Sequence, residues 1–215
     1  MNIEVDQRAY WDRAAAEKTF THPLDVALLS AHLHPTARIL DYGCGYGRLS
    51  AELQQTGYRD IIGMDISVEM VARARATCPD LVFEVTEGTS LRLENETIDA
   101  VLLFAVLTCI TSNHVQKALV AEIARVLRPG GIVYVSDYLL QTDARNIERY
   151  AKFREQYGNY GVFLTDDGAL VRHHTSSWLE TLFAGFQSEM QASVELTTMN
   201  GHRSTAFQFI VRKRE

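Results

Sequence analysis

Three glycines at alternate positions follow an acid near the end of a short apolar run: Arg38-Ile39-Leu40-Asp41-Tyr42-Gly43-Cys44-Gly45-Tyr46-Gly47-Arg48-Leu49. Such glycines let a backbone turn sharply and approach a ligand closely. The helix expected to follow offers unpaired N–H groups and a partial positive charge at its start. An anionic group is therefore expected at its mouth; the plainer reading is a strand-to-helix turn with no ligand. A dinucleotide fingerprint would run G-x-G-x-x-G. Counting from Gly43, the sixth position is Arg48, so the pattern is Asp-x-Gly-x-Gly-x-Gly instead. A second run, Ile61-Ile62-Gly63-Met64-Asp65-Ile66-Ser67, brings another acid. Asp65 lies about as far beyond the glycines as the ribose-binding carboxylate of nucleotide folds. Each charge-assisted hydrogen bond to such a carboxylate contributes roughly 1.5–3 kcal/mol. Capping the next helix is the competing role, and Ser67 is the better cap.

Two further pieces belong with these: Glu87-Gly88-Thr89 followed by Thr97-Ile98-Asp99-Ala100-Val101, and Leu127-Arg128-Pro129-Gly130-Gly131 before an apolar strand. Together, over roughly residues 36–137, the four pieces resemble the class I S-adenosylmethionine-dependent methyltransferases. The resemblance implies S-adenosyl-L-methionine as cofactor and S-adenosyl-L-homocysteine as product. It implies that Asp41, Gly43, Cys44 and Gly45 form the loop around the methionine half. Asp65 would hold the ribose and Ile66 would lie beside the adenine. Glu87 stands where the family has an Asp that accepts from the adenine amino group, one methylene longer. Gly88 would present its N–H to the ring, with Thr89 beside it. Phe104 falls where the family approaches the reactive methyl, often with a polar residue. Tyr10 matches an N-terminal aromatic that closes over the cofactor, packing on the core being the alternative.

Strands are expected near 38–42, 61–65, 81–85, 98–104 and 132–137. Their nearly continuous apolar runs suit a parallel sheet covered on both faces. Helices are expected over 6–18, after Pro23, and near 47–56, 68–77 and 114–127. Pro23 would supply a first turn, and Leu24, Ala27, Leu28 and Ala31 one apolar face. This alternation argues for an α/β fold with a doubly wound, mostly parallel sheet, Rossmann-like, binding its ligand beyond the C-terminal strand ends. Glu189–Leu196 and Thr205–Arg212, joined around Asn200-Gly201, add an antiparallel C-terminal hairpin and bring the sheet to seven strands. Before them a helix should start near Ser176–Ser177, with Ser177 and Glu180 as a capping box and Trp178, Leu182 and Phe186 as a core-facing stripe.

Residues 1–215 read as a single domain, with 1–34 as N-terminal helices over the cleft. Residues 138–175 are too many for a plain connection. They read as a charged helix over Thr142–Tyr157 and a hairpin over Tyr160–His174. We expect this insertion to cap the acceptor site; a surface excursion or dimer contact is the alternative. Aligning acceptor and donor can lower a barrier by about 7–11 kcal/mol, and a base is needed only if the nucleophile must lose a proton. His173, His174 and Tyr138 are the candidates for that role; His22, His114 and His202 could also face the cleft. Arg172, with the cap arginines, could hold an acidic acceptor.

The 215 residues are 47% apolar and 22% charged, which suits one globular domain. A net charge of −6 supplies no basic field for nucleic acid or an anionic membrane. No apolar run reaches the ~18 residues of a membrane helix. The acidic start, Met1–Asp6, lacks the basic region and apolar core of a signal peptide. Cys44, Cys78 and Cys109 form no C-x-x-C pair and no metal-ligand cluster, which points to reduced thiols in a cytoplasm and no metal. The expectation is a monomer or homodimer that methylates an O, N or S atom of a small molecule. Two alternatives stand beside it: a non-catalytic cofactor-binding partner or regulatory subunit, and an RNA methyltransferase, which would carry a basic patch.

Overall fold

The computed structural model describes residues 7–215. Segment 1–6, including the first residue of the helix expected over 6–18, lies outside the described residues. Strands β1 (Arg38–Tyr42), β2 (Asp60–Asp65), β3 (Val82–Val85), β4 (Ile98–Phe104) and β5 (Leu127–Tyr138) run parallel. Strands β6 (Val162–Leu164) and β7 (Leu170–Arg172) pair apart from them, and β8 (Phe186–Thr197) and β9 (Arg203–Lys213) close the chain. The seven-stranded order is β3-β2-β1-β4-β5-β9-β8, with β9 antiparallel to both β5 and β8. The chain winds outward from β1 to β3, then returns to the other side of β1 as β4. A crevice beyond the C-terminal ends of β1 and β4 follows from that reversal.

Apolar side chains alternate faces along the central strands. Ile39, Leu102, Phe104 and Tyr134 share one layer; Leu40, Val101, Leu103 and Val135 share the other. Both layers are covered, which is why the runs read as continuous. Helices α2 (Val26–Ser30), α3 (Arg48–Gln55) and α4 (Val68–Thr77) cover the first through Leu29, Leu53 and Val71. Helices α5 (Asn113–Val126) and α7 (Ser176–Leu182) cover the second through Leu119, Ile123, Leu179 and Leu182. Burying each such side chain contributes roughly 1.5–3 kcal/mol, so this sheet is a rigid base for the loops at its edge.

Ser67 caps α4 as expected, accepting from Met70 N at 3.1 Å. Elsewhere the caps shift. The helix expected at Pro23 begins at Val26, because Asp25 accepts from Leu28 N. Thr175, not Ser177, caps α7 by accepting from Trp178 N. That short helix ends at Leu182, so buried Phe186 belongs to β8 rather than to a helical stripe. β5 starts at Leu127 rather than near 132, with an irregular register where it first meets β4.

The stretch between β5 and α7 holds α6 (Ala144–Tyr157) and the β6–β7 hairpin. Helix α1 (Arg8–Ala14) packs on that hairpin: Tyr10, Ala14 and Ala169 form a small core with Trp11 and Val171. Gln7 accepts from Leu170 N at 2.6 Å and donates to Leu170 O, taking the place of a third strand there. Among the described residues no helix is long and apolar enough to cross a membrane.

Candidate functional site

A cavity of about 790 Å³ lies beyond the C-terminal ends of the parallel strands, within the ~300–1,000 Å³ usual for small-molecule sites. Asp41, Gly43, Cys44, Asp65, Ile66, Gly88, Thr89, Phe104 and Tyr138 line it from the sheet side. Tyr10, Trp11, Phe20 and His22 line it from the N-terminal segment, and Arg149, Phe163 and His173 from the insertion. Gly45, Glu87 and His174 are outside that lining.

The glycine turn satisfies its own N–H groups. Gly43 N and Cys44 N donate to Met64 O at 2.7 and 3.0 Å, Gly47 N to Cys44 O, and Gly45 N to Asp65 Oδ2 at 2.8 Å. At α3 the anion expected at the helix mouth is the protein's own: Asp41 accepts from Ser50 Oγ at 2.7 Å and from the Ser50 backbone. Glycine is required for another reason as well. Gly45 has φ +53°, and a Cβ would lie 2.0 Å from Phe20 Cε2. Phe20 stacks on Tyr46 with centroids 5.0 Å apart. The glycine turn therefore seats the N-terminal segment.

Two acids sit behind the turn. Burial pushes Asp41 up to about 6, against the pull of Ser50 and Arg48. Burial also raises Asp65, while N–H groups of Ser67 and Gly45 oppose it. Asp65 Oδ1 accepts from Ser67 N at 2.9 Å, so each carboxylate oxygen already holds one backbone donor. Tyr42 Oη donates to Gly88 O at 3.2 Å, which ties the β1 end to the turn after β3. That turn brings Thr86, Gly88 and Thr89 to the cavity, while the Glu87 side chain is exposed.

Deeper in, aromatic rings converge. Tyr138 stacks on His173 at 5.2 Å and meets the His22 ring edge-on at 4.7 Å. His173 Nδ1 lies 2.6 Å from Tyr150 Oη. Burial, then Arg149, holds His173 well below its ordinary range. His22 falls to about 3, by burial and then Arg48. Its Nδ1 is 2.9 Å from Ser136 Oγ, which also accepts from Gln208 Nε2 at 3.4 Å. The buried His22 Nε2 has no hydrogen-bond partner among the described residues. His174 is different: Gln116 Nε2 donates to its Nε2 at 2.9 Å and its Nδ1 faces Tyr138 O at 3.3 Å. Both nitrogens are committed to holding the insertion on the sheet. Arg172 is likewise committed, to Thr111 O and Asn113 Oδ1.

Asp167, on the hairpin turn, closes one rim. It accepts from Tyr10 Oη at 2.9 Å and pairs with Lys18 Nζ at 2.5 Å, while Lys18 also donates to Asn200 Oδ1. Asn200 sits in the turn between β8 and β9. Sequence reading missed this junction, as it missed the seat of Phe20 on Gly45 and the Ser136–His22 pair. The residues stand far apart along the chain, and no spacing signals them. Among the described residues no group of His, Cys, Asp or Glu could hold a metal ion.

Residues 39–131 match the family model of a methyltransferase domain. Over 134 residues the chain is 33% identical to a demethylmenaquinone methyltransferase of Beutenbergia cavernae, covering 61% of this chain and 50% of that protein. It is 28% identical over 159 residues to the tRNA N(3)-cytidine methyltransferase METTL2 of Mus musculus, covering 69% and 40%. The chain thus spans about half or less of the length of these two relatives. A solved SAM-dependent methyltransferase from Methanosarcina mazei superposes with a TM-score of 0.84 at 25% identity, covering 89% of this chain and 99% of that one.

Proposed function

We propose that the chain is a class I S-adenosylmethionine-dependent methyltransferase, as its match to the methyltransferase-domain model and its likeness to a solved SAM-dependent methyltransferase support, and that it moves a methyl group to an O, N or S atom of a small-molecule acceptor. One observation carries the small-molecule reading. The cavity is walled opposite the sheet by the N-terminal segment and the insertion, which are tied together at Asp167. An exposed nucleotide or protein side chain would have to pass that rim. The net charge of −6 also favours a small acceptor over RNA.

The residues present suit S-adenosylmethionine. Asp65 keeps a lone pair for a ribose hydroxyl after its three backbone bonds. Ile66 and Met70 give an apolar flank, and Asp41, Gly43 and Cys44 line the neighbouring stretch. When bound, the cofactor supplies a methyl group activated by a sulfonium and a neutral thioether leaving group. The chain's own work is to orient and to keep dry. Phe104 and Tyr138 bring apolar surface to the sheet end of the cavity. His22, held to Ser136 through Nδ1, adds its ring to the wall beside Tyr138. Neutral His22 and His173 are poor bases at pH 7, so we assign them, with Tyr138, to positioning. His174 is assigned to holding the insertion. Residues 138–175 act as the cap in this reading.

Incubation with methyl-labelled S-adenosylmethionine, a metabolite extract, bulk tRNA and cell protein tests this. Label is expected in the small-molecule fraction. Label confined to tRNA or protein overturns the acceptor class. Tight binding of S-adenosylhomocysteine with no transfer to any fraction would favour the non-catalytic alternative.

A further inference from the structure

At its cap end the cavity is lined by basic and polar side chains. Arg145, Asn146 and Arg149 occupy positions i, i+1 and i+4 of α6, and all three line it. Arg203 and Ser204, at the start of β9, line it too. Gln141 joins these two stretches: its amide accepts from Thr205 N at 2.9 Å and donates to Thr205 O at 2.8 Å, just before α6 begins. Asn146 is 6% exposed and Ser204 5% exposed, yet Asn146 Oδ1 and Ser204 Oγ have no hydrogen-bond partner among the described residues. Buried Arg149 Nε has none either. Leaving such groups unpaired costs about 1–3 kcal/mol each, but these atoms are closed off from the open cavity, so a guest would read the charge at this end rather than pair them.

The charge of that guest follows from Arg149. Its guanidinium lies 3.5 Å above the Phe163 ring, which holds the plane fixed. No described carboxylate comes within ion-pair distance of it. Asp143, the nearby acid, is held by Asn146 through the backbone N–H and the side-chain amide. Asp167, across the cavity, is matched by Lys18. Arg145 and Arg203 add exposed positive charge beside Arg149. A fixed planar fork of N–H donors pairs best with a planar carboxylate.

We propose that the acceptor carries a carboxylate, bound by Arg149 with Arg145 and Arg203 beside it. This rests on the small-molecule reading above and narrows it. Arg149 and Arg145 thus fill the role that Arg172, pinned to Thr111 and Asn113, does not.

The test is equilibrium binding to the S-adenosylhomocysteine-loaded protein, followed by ligand-observed magnetic resonance. The probes are matched pairs of aromatic and aliphatic acids and their primary amides, 4-hydroxybenzoate with 4-hydroxybenzamide and glycolate with glycolamide among them. At least one acid should bind about tenfold or more tightly than its amide. Arg149→Gln should abolish that preference, Arg149→Lys should restore part of it, and S-adenosylhomocysteine affinity should be the same in all three proteins. Absence of any acid-over-amide preference, including no binding at all, overturns the proposal. So does a preference that survives in Arg149→Gln. Failure to bind S-adenosylhomocysteine would instead strike the cofactor reading, so the two failures are separable.

Discussion

Asp65→Asn separates charge from shape at the centre of the site. A carboxylate offers about four lone-pair positions. Three are taken, by Gly45 N at 2.8 Å, Ser67 N at 2.9 Å and the Ile66 backbone, and one remains for a ribose. At roughly 1.5–3 kcal/mol for a charge-assisted bond, its loss is worth about 10–10²-fold in affinity. Asparagine keeps one oxygen. Its amide nitrogen must then face either Gly45 N–H or Ser67 N–H, donor against donor. One buried N–H goes unpaired, at about 1–3 kcal/mol. For a chain of this size that lowers the melting temperature by roughly 2–4 °C per kcal/mol. Asparagine should therefore be no better tolerated than alanine. Calorimetry with S-adenosylhomocysteine and thermal unfolding of wild type, Asp65→Asn and Asp65→Ala measure both effects. An asparagine variant that binds within threefold of wild type, or melts with it, refutes the reasoning.

Two more outcomes follow from the same turn. Gly45→Ala places a Cβ 2.0 Å from Phe20 at φ +53°, where an L side chain costs about 1–2 kcal/mol before any clash; Phe20 should leave Tyr46, and chymotrypsin should cut at Phe20 faster than in wild type, an unchanged rate counting against the packing described. Burial raises Asp41 from 3.8 to about 6, so its protonated form suits the fold, and its contribution to stability is full below pH 4 and is lost as pH rises through about 6. The full span is about 3 kcal/mol, of which about 2 kcal/mol falls between pH 4 and 6.5; the urea-unfolding free energy of Asp41→Asn should gain on wild type by about that 2 kcal/mol over this window, whereas parallel curves would contradict the shift.

Chain-local signals were read well from sequence. The nearly continuous apolar runs around Ile39-Leu40 and Val101-Leu102 need only neighbours to be recognised, and they pointed to a parallel core covered on both faces. Ser67 was legible as a cap because Asp65 already had a better role. Where several capping residues stand in a row, as in Thr175-Ser176-Ser177, sequence does not say which hydroxyl wins; tertiary packing chose Thr175. Nothing in the spacing reveals that Asp41 turns back onto Ser50. The sheet-side lining of the cavity was visible because it lies on successive strand ends. The rest was not, since His22 meets Ser136, and Gln141 meets Thr205, only after the sheet has formed.

The junction at Asp167 binds three segments that are remote in sequence: Tyr10 and Lys18, the hairpin turn, and Asn200. Gln7 adds a second tether to the same hairpin. An engineer wishing to graft residues 138–175 onto a related scaffold could not move them by themselves. The recipient would have to import the N-terminal helix and the last β-turn as well, or receive a cover with nothing to fasten it.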